Sequence, residues 1–354
     1  MGVQVHTEVE QADWDNTMHR ATQLKVGWIK VQVAWELIQP NHRDEFGEEF
    51  RRLELYLQDA DRRGFNLLIS VAKAPDWARS TLEEDGPPDD PAALAYFLTF
   101  FLDQNDLGDR IDAIEVWNEP NLAREWRGRP LNGAEYMRYF TVAYRAIRDY
   151  SPNIVVITAA LAPTGSSDVS VDDRTYLRQM YQAGLGQYQE ENIAIGVHPY
   201  SWGNPPDIRC CNAVDGQSWD DNVRFFFADT LEDYREIMVS NGHSHVKLWA
   251  TEFGWATWAG LPGEPPEEWM SYNTPEDQAD FTLRAFEMAQ DLEYMGPMIL
   301  WNLNLAQVHP ELIQERDERI AYSLVLPEGN PQERPLYWRL FEAPRSNMTP
   351  TPGG

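Results

Sequence analysis

The chain has 354 residues, 43% of them apolar, and a formal net charge of -28. That length suits one large domain or two ordinary ones, and so acidic a surface repels a phosphate backbone or an anionic bilayer, which excludes nucleic acid and membranes as partners. No apolar run approaches the ~20 residues needed to span a bilayer, and two adjacent cysteines, Cys210 and Cys211, cannot build a disulfide-rich scaffold or a four-cysteine zinc site.

Strand and helix patterns alternate from the first residues. Residues 2–6 read as a strand and 13–25 as a helix. Residues 28–35 give the second strand, with Ile29, Val31 and Val33 on one side and Lys30, Gln32 and Ala34 on the other. A helix over 48–63 is closed by Gly64, a usual residue just past a helix end. Strand three covers 65–71. Asp90-Pro91 opens the next helix, where proline suits the first helical position, and Leu94, Phe97, Leu98 and Phe101 share one face.

Strand four, 114–117, alternates Ile114 and Val116 with Glu115 and Trp117. Pro120 stops it and leaves Glu119 at its C-terminal edge. A helix over 133–150 breaks at Ser151-Pro152. Strand five, 154–157, is continuously apolar, as parallel strands buried on both faces are. A helix over 176–183 leads to strand six at 193–200, a helix over 223–240 to strand seven at 246–254. Thr274-Pro275 starts a helix to about 294, and strand eight is 298–301.

Eight strands alternating with helices predict an α/β fold of the (β/α)8, or TIM, barrel type. A doubly wound sheet would have fewer units and a glycine-rich first turn, which no strand here is followed by. Residues 1–345 read as a single barrel domain and the Pro/Thr/Gly-rich residues 346–354 as a linker-like tail. With no basic, apolar leader at the start, the expectation is a domain excised from a longer secreted or cell-surface chain.

Barrel chemistry sits at the C-terminal ends of the strands, and Glu119, His198, Tyr200, Glu252 and Trp301 all fall there. Two strand-end glutamates are the minimum apparatus for splitting a glycosidic bond; the plainer alternative is a pair of glutamates in salt bridges. A metal-dependent barrel enzyme would need a cluster of His, Asp and Glu ligands, and the seven histidines form no such motif, so no metal is expected.

Trp117-Asn118-Glu119-Pro120 ending strand four and Thr251-Glu252-Phe253-Gly254 ending strand seven resemble clan A of the glycoside hydrolases, with families 5 and 39 the most similar in pattern. The resemblance spans about residues 2–301. It implies a retaining β-glycoside hydrolase that needs no cofactor and takes a carbohydrate substrate. Glu119 would be the general acid/base and Glu252 the nucleophile, ~5–5.5 Å apart. Asn118 would bond the sugar 2-hydroxyl, Tyr200 would donate to Glu252, His198 would order the polar network or serve as a core histidine, and Trp301 would floor the innermost sugar. The clan's strand-two arginine is replaced by Lys30, five residues before Trp35, which keeps the charge but loses the bidentate fork. Lys30 either positions the nucleophile or makes a structural ion pair with Glu115. Trp77, Trp126, Trp202, Trp255, Trp258 and Trp269 are candidate sugar platforms. The alternative function is a carbohydrate-binding barrel with little or no turnover. Cys210 and Cys211 are expected to form a vicinal disulfide in the loop after strand six, at the rim of the cleft.

Overall fold

The computed structural model describes residues 1–211, 222–329 and 332–344; the linker-like tail at 346–354 lies outside them. Its centre is a closed barrel of eight parallel strands in sequence order: β1 (Gly2–Val5), β2 (Trp28–Ala34), β3 (Asn66–Ala72), β4 (Ala113–Val116), β5 (Val155–Thr158), β6 (Ile193–Val197), β7 (Lys247–Phe253) and β8 (Met295–Leu300). The (β/α)8 expectation is met. Long helices at Gln11–Gln23, Glu48–Arg62, Pro91–Leu102, Gly133–Tyr150, Asp173–Gln182, Phe227–Ser240 and Pro275–Gln290 follow the first seven strands in turn. No helix among the described residues is long and apolar enough to cross a membrane.

The helix signals act as the sequence suggests. Asp90 accepts from the Ala92 N–H ahead of Pro91, and Thr274 and Asp277 form a reciprocal capping box around Pro275. Gly64 has φ +85°, the left-handed region that a side chain resists.

Strand parity divides the barrel. Outward residues such as Val3, Ile29, Val31, Leu67, Ile69 and Ile114 pack with the helices into the main core. The lower interior is filled by Leu68, Ala113, Ile157, Ala194, Trp249 and Ile299. Above that apolar layer the inward positions turn polar: Lys30, Ser70, Glu115 and Thr251 are all fully buried. A Cβ at Gly196 would fall 2.4 Å from the Thr158 carbonyl oxygen, so β6 can approach β5 only with glycine there.

Strand ends differ from the expected ones in a way that matters. β4 stops at Val116, because Trp117 (φ +78°) and Glu119 (φ +42°) both take left-handed backbone. Each costs about 1–2 kcal/mol for an L-residue. The turn is held by hydrogen bonds from the Trp117 indole to the Glu125 carbonyl at 3.0 Å, from the Glu119 N–H to the Ala160 carbonyl at 3.0 Å and from the Tyr136 hydroxyl to the Val116 carbonyl at 2.8 Å. Likewise Trp35 opens a short helix after β2, and His198, Tyr200 and Trp301 lie just past their strands rather than in them.

Candidate active site

Lys30 enters the barrel from β2 and Glu115 from β4, both on inward positions, and the two meet at 3.4 Å. The same ammonium donates to Glu252 Oε1 at 2.9 Å. The two roles weighed for Lys30, ion pair and partner of the nucleophile candidate, therefore coexist in one contact set. Burial works against the Lys30 charge, but Glu115 and Glu252 overcome it and raise its pKa above the usual lysine value.

β7 delivers two side chains to the candidate site from consecutive positions, Thr251 and Glu252. Its register against β8 shifts between Leu248 and Ala250 and again between Ala250 and Phe253. Thr251 keeps the inward parity of Trp249 and donates to Glu115 Oε1 at 2.6 Å. Glu252, which strict alternation would turn outward, instead brings its carboxylate to Lys30 and accepts the Tyr200 hydroxyl on Oε2 at 3.1 Å. Burial would raise the Glu252 pKa; Lys30 first and His198 second outweigh it, so the carboxyl is held below its ordinary value. Burial and the Glu252 charge push Tyr200 well above the usual phenol range, so it stays a donor.

His198 joins the two halves of the site. Its Nδ1 is 2.9 Å from Glu119 Oε1 and 4.0 Å from Glu252 Oε2, and its Nε2 is 3.2 Å from Thr251 Oγ1. Burial lowers its basicity, but Glu252 and Glu119 reverse the sign and raise it. Asn118 is buried beside Glu119, and its Oδ1 has no partner among the described residues. Trp301 meets Tyr200 edge-on at 6.1 Å and Tyr322 at 5.2 Å, with its indole nitrogen equally unpartnered.

The structure sorts the tryptophans. Trp35 is fully buried, stacked on Phe97 at 4.5 Å and bonded to the Gln39 side chain at 2.7 Å, so it packs behind the site. Trp126, Trp255 and Trp258 are buried too, contrary to their expected place on sugar platforms: Trp126 packs edge-on against Trp117 and Tyr139, while the indoles of Trp255 and Trp258 are tied to the carbonyls of Asn204 and Gly263. Trp77, Trp202 and Trp269 are half-buried. Trp202 is sandwiched between Phe225 at 3.7 Å and Trp269 at 5.9 Å.

Three residues enter that sequence reading did not single out as site members. Thr251 could have been found, since it shares inward parity with Trp249. Tyr322 closes a short 3-10 helix, Glu318–Tyr322, well after β8, a stretch with no periodic signal. Glu125 is five residues beyond Pro120; burial and then the Glu119 charge push its carboxyl up to about 7. Among the described residues no group of three or more His, Cys, Asp or Glu side chains could hold a metal ion.

Cys210 and Cys211 are joined by a disulfide. Their loop is tied to the helix Phe227–Ser240: the Cys210 N–H donates to Asp229 at 2.7 Å, and Arg209 pairs with Asp229 and Glu232. Residues 212–221, which follow, are outside the described set.

No family model matches the sequence, and no curated protein matches it either. Solved structures do. The chain is similar to a family 39 glycoside hydrolase from the gut symbiont Bacteroides cellulosilyticus WH2 (17% identity, TM-score 0.67, 96% of this chain and 62% of that one). It is also similar to a glucosidase from Croceicoccus marinus (12%, TM-score 0.64, 96% and 66%) and to a family 5 broad-specificity endoglucanase from Clostridium longisporum (15%, TM-score 0.59, 96% and 95%). The chain thus spans less than two thirds of the length of the first two. Strand order, closure and these likenesses together give the chain the barrel fold found in family 5 and family 39 glycoside hydrolases.

Proposed function

We propose that this chain is a retaining β-glycoside hydrolase, with Glu252 as nucleophile and Glu119 as general acid/base. One observation carries the reading. Glu119 Oε1 and Glu252 Oε2 both lie within 4.0 Å of the single atom His198 Nδ1. The two oxygens can be no farther apart than those distances laid end to end. That limit accommodates the ~5–5.5 Å spacing of retaining pairs.

The environments differ in the direction the chemistry needs. Glu252 faces a cation and a phenol, so it is ready to attack an anomeric carbon as a carboxylate. Glu119 faces an imidazole and hands a proton to the departing oxygen, and later takes one from the water that cleaves the glycosyl-enzyme. Asn118, with its free acceptor beside Glu119, suits a sugar hydroxyl, and Trp301 suits a sugar CH face. The substrate is a β-linked oligo- or polysaccharide, and the setting is extracellular or at the cell surface.

A panel of nitrophenyl β-glycosides and of β-glucan, xylan and mannan finds the sugar. On the best substrate Glu252→Ala lowers kcat/KM by at least about 10³-fold, and azide restores cleavage of an activated glycosyl fluoride of opposite anomeric configuration. Retention of more than a few per cent of activity by the variant overturns the assignment, and so does inversion of anomeric configuration in the product.

A further inference from the structure

From the donor directions around His198, and resting on the glycosidase reading, we infer that Glu115 and Thr251 are positioning residues that keep a proton on His198 Nε2, so that Nδ1 shares its proton with Glu119 and the acid/base is a two-residue unit.

The line of donors ends on Glu115. Its Oε1 accepts the Ala160 N–H at 3.1 Å and its Oε2 faces Lys30 at 3.4 Å. Both neighbours are donors, so the carboxylate is an acceptor on each side. Thr251 has one hydroxyl proton and spends it on Glu115 Oε1, at 2.6 Å. Toward His198 Nε2, at 3.2 Å, Thr251 Oγ1 then offers only a lone pair. An imidazole nitrogen facing a lone pair carries the hydrogen. Nε2 is therefore protonated in both the neutral and the cationic ring.

That leaves Nδ1, 2.9 Å from Glu119 Oε1, as the only ring position that gains or loses a proton. Two states follow, differing by one proton moved along that line. In one the Glu119 carboxylic acid donates to a neutral ring; in the other an imidazolium donates to the Glu119 carboxylate. Both states hold the one proton that the leaving oxygen needs; once Glu119 has delivered it, the pair is a carboxylate beside a neutral ring, and taking a proton from the attacking water restores the shared proton. In the opposite tautomer, hydrogen on Nδ1 of a neutral ring would occupy Glu119 Oε1 as an acceptor, so a proton on Glu119 would sit on Oε2 and would not be shared with the ring. The charged groups facing this pair are Glu252 on β7, Lys30 on β2, Glu115 on β4 and, beyond Glu119, Glu125 and Glu318; Tyr200 contributes a neutral phenol.

Nitrogen-15 spectra of histidine-labelled protein, with His198 assigned through a His198→Gln variant, read the tautomer without reference to turnover. The expected result is hydrogen on Nε2 throughout the pH range. A neutral His198 protonated on Nδ1 overturns the proposal. Thr251→Val removes the lone pair while keeping the shape, and should shift the neutral ring toward the Nδ1–H form; Thr251→Ser should restore the original pattern. In kinetics Thr251→Val should cost tenfold or more on glycosides with poor leaving groups, within the ~10²–10⁴ that general acid–base help supplies, and at most about threefold on dinitrophenyl glycosides. Equal losses on both, with an unchanged tautomer, overturn it. If the protein cleaves no glycoside at all, the functional reading fails while the spectrum still decides the tautomer. If Thr251→Val does not fold, the wild-type spectrum decides alone.

Discussion

Lys30 Nζ lies between two buried carboxylates, 2.9 Å from Glu252 Oε1 and 3.4 Å from Glu115 Oε2. A single ammonium therefore faces Glu252, the proposed nucleophile, and Glu115, which accepts the Thr251 hydroxyl. Lys30→Met should strand both carboxylates, costing about 3–5 kcal/mol of stability at neutral pH. The sign is set by the shifts. Glu252 is held low, so its contribution is present above the unfolded carboxyl value and lost as pH falls through the folded one; Lys30 is raised, so its contribution disappears only as pH climbs through its folded value. Without the lysine, Glu252 holds its proton to higher pH, and the acid limb of kcat/KM should move up by about one unit or more. An acid limb that does not move rejects Lys30 as the group that keeps Glu252 ionised.

Glu119→Ala should slow glycosides with poor leaving groups far more than aryl glycosides with good ones, because a good leaving group departs with little protonation. A difference of about 10²-fold between the two classes is expected. Equal losses across a leaving-group series would remove Glu119 from the acid role.

Glu125 supplies a stability test that is separate from turnover. Burial and the neighbouring Glu119 push its carboxyl up to about 7. A carboxyl raised in the folded state destabilises the fold as pH rises from its unfolded value, about 4.3, through the folded one. Glu125→Gln should therefore melt about 2–5 °C higher than wild type at pH 8 and at the same temperature at pH 4. A Tm difference that is flat with pH would show that the Glu125 carboxyl is not raised.

The cysteine pair predicts a thiol count. Protein purified without reductant should take up no alkylating agent, and two equivalents per chain after reduction, since the sequence holds no other cysteine. Two equivalents before reduction would mean that the pair is open.

How far the sequence reaches can be judged from single residues. Lys30 and Glu115 follow period-two parity into the barrel, since a strand interior leaves a side chain only two directions. Parity fails where the strand is irregular. Glu252 sits on the outward phase of β7 and reaches the mouth through the register shifts against β8. Glu119 is aimed by a left-handed turn. The hydrophobic pattern encodes neither, and both residues were picked out from their motifs. Tryptophan reads poorly for a different reason: Trp126, Trp255 and Trp258 follow their strands at loop positions, as the sequence implied, yet the long loops after β4 and β7 fold back and bury them. Tertiary packing of those loops decides their exposure, and local sequence does not record it.

The polar layer above the apolar filling of the barrel has a consequence for anyone breeding tougher variants. Lys30, Ser70, Glu115 and Thr251 occupy space that branched aliphatic side chains could fill, and replacing a buried ion pair by well-packed hydrophobic residues often stabilises a protein by about 1–4 kcal/mol. A library sorted for heat resistance alone would drift toward a greasy, sturdy and inert cylinder. Selection for hardiness in this chain has to be coupled to the proposed turnover at every round, or the inner layer will be the first thing it erases.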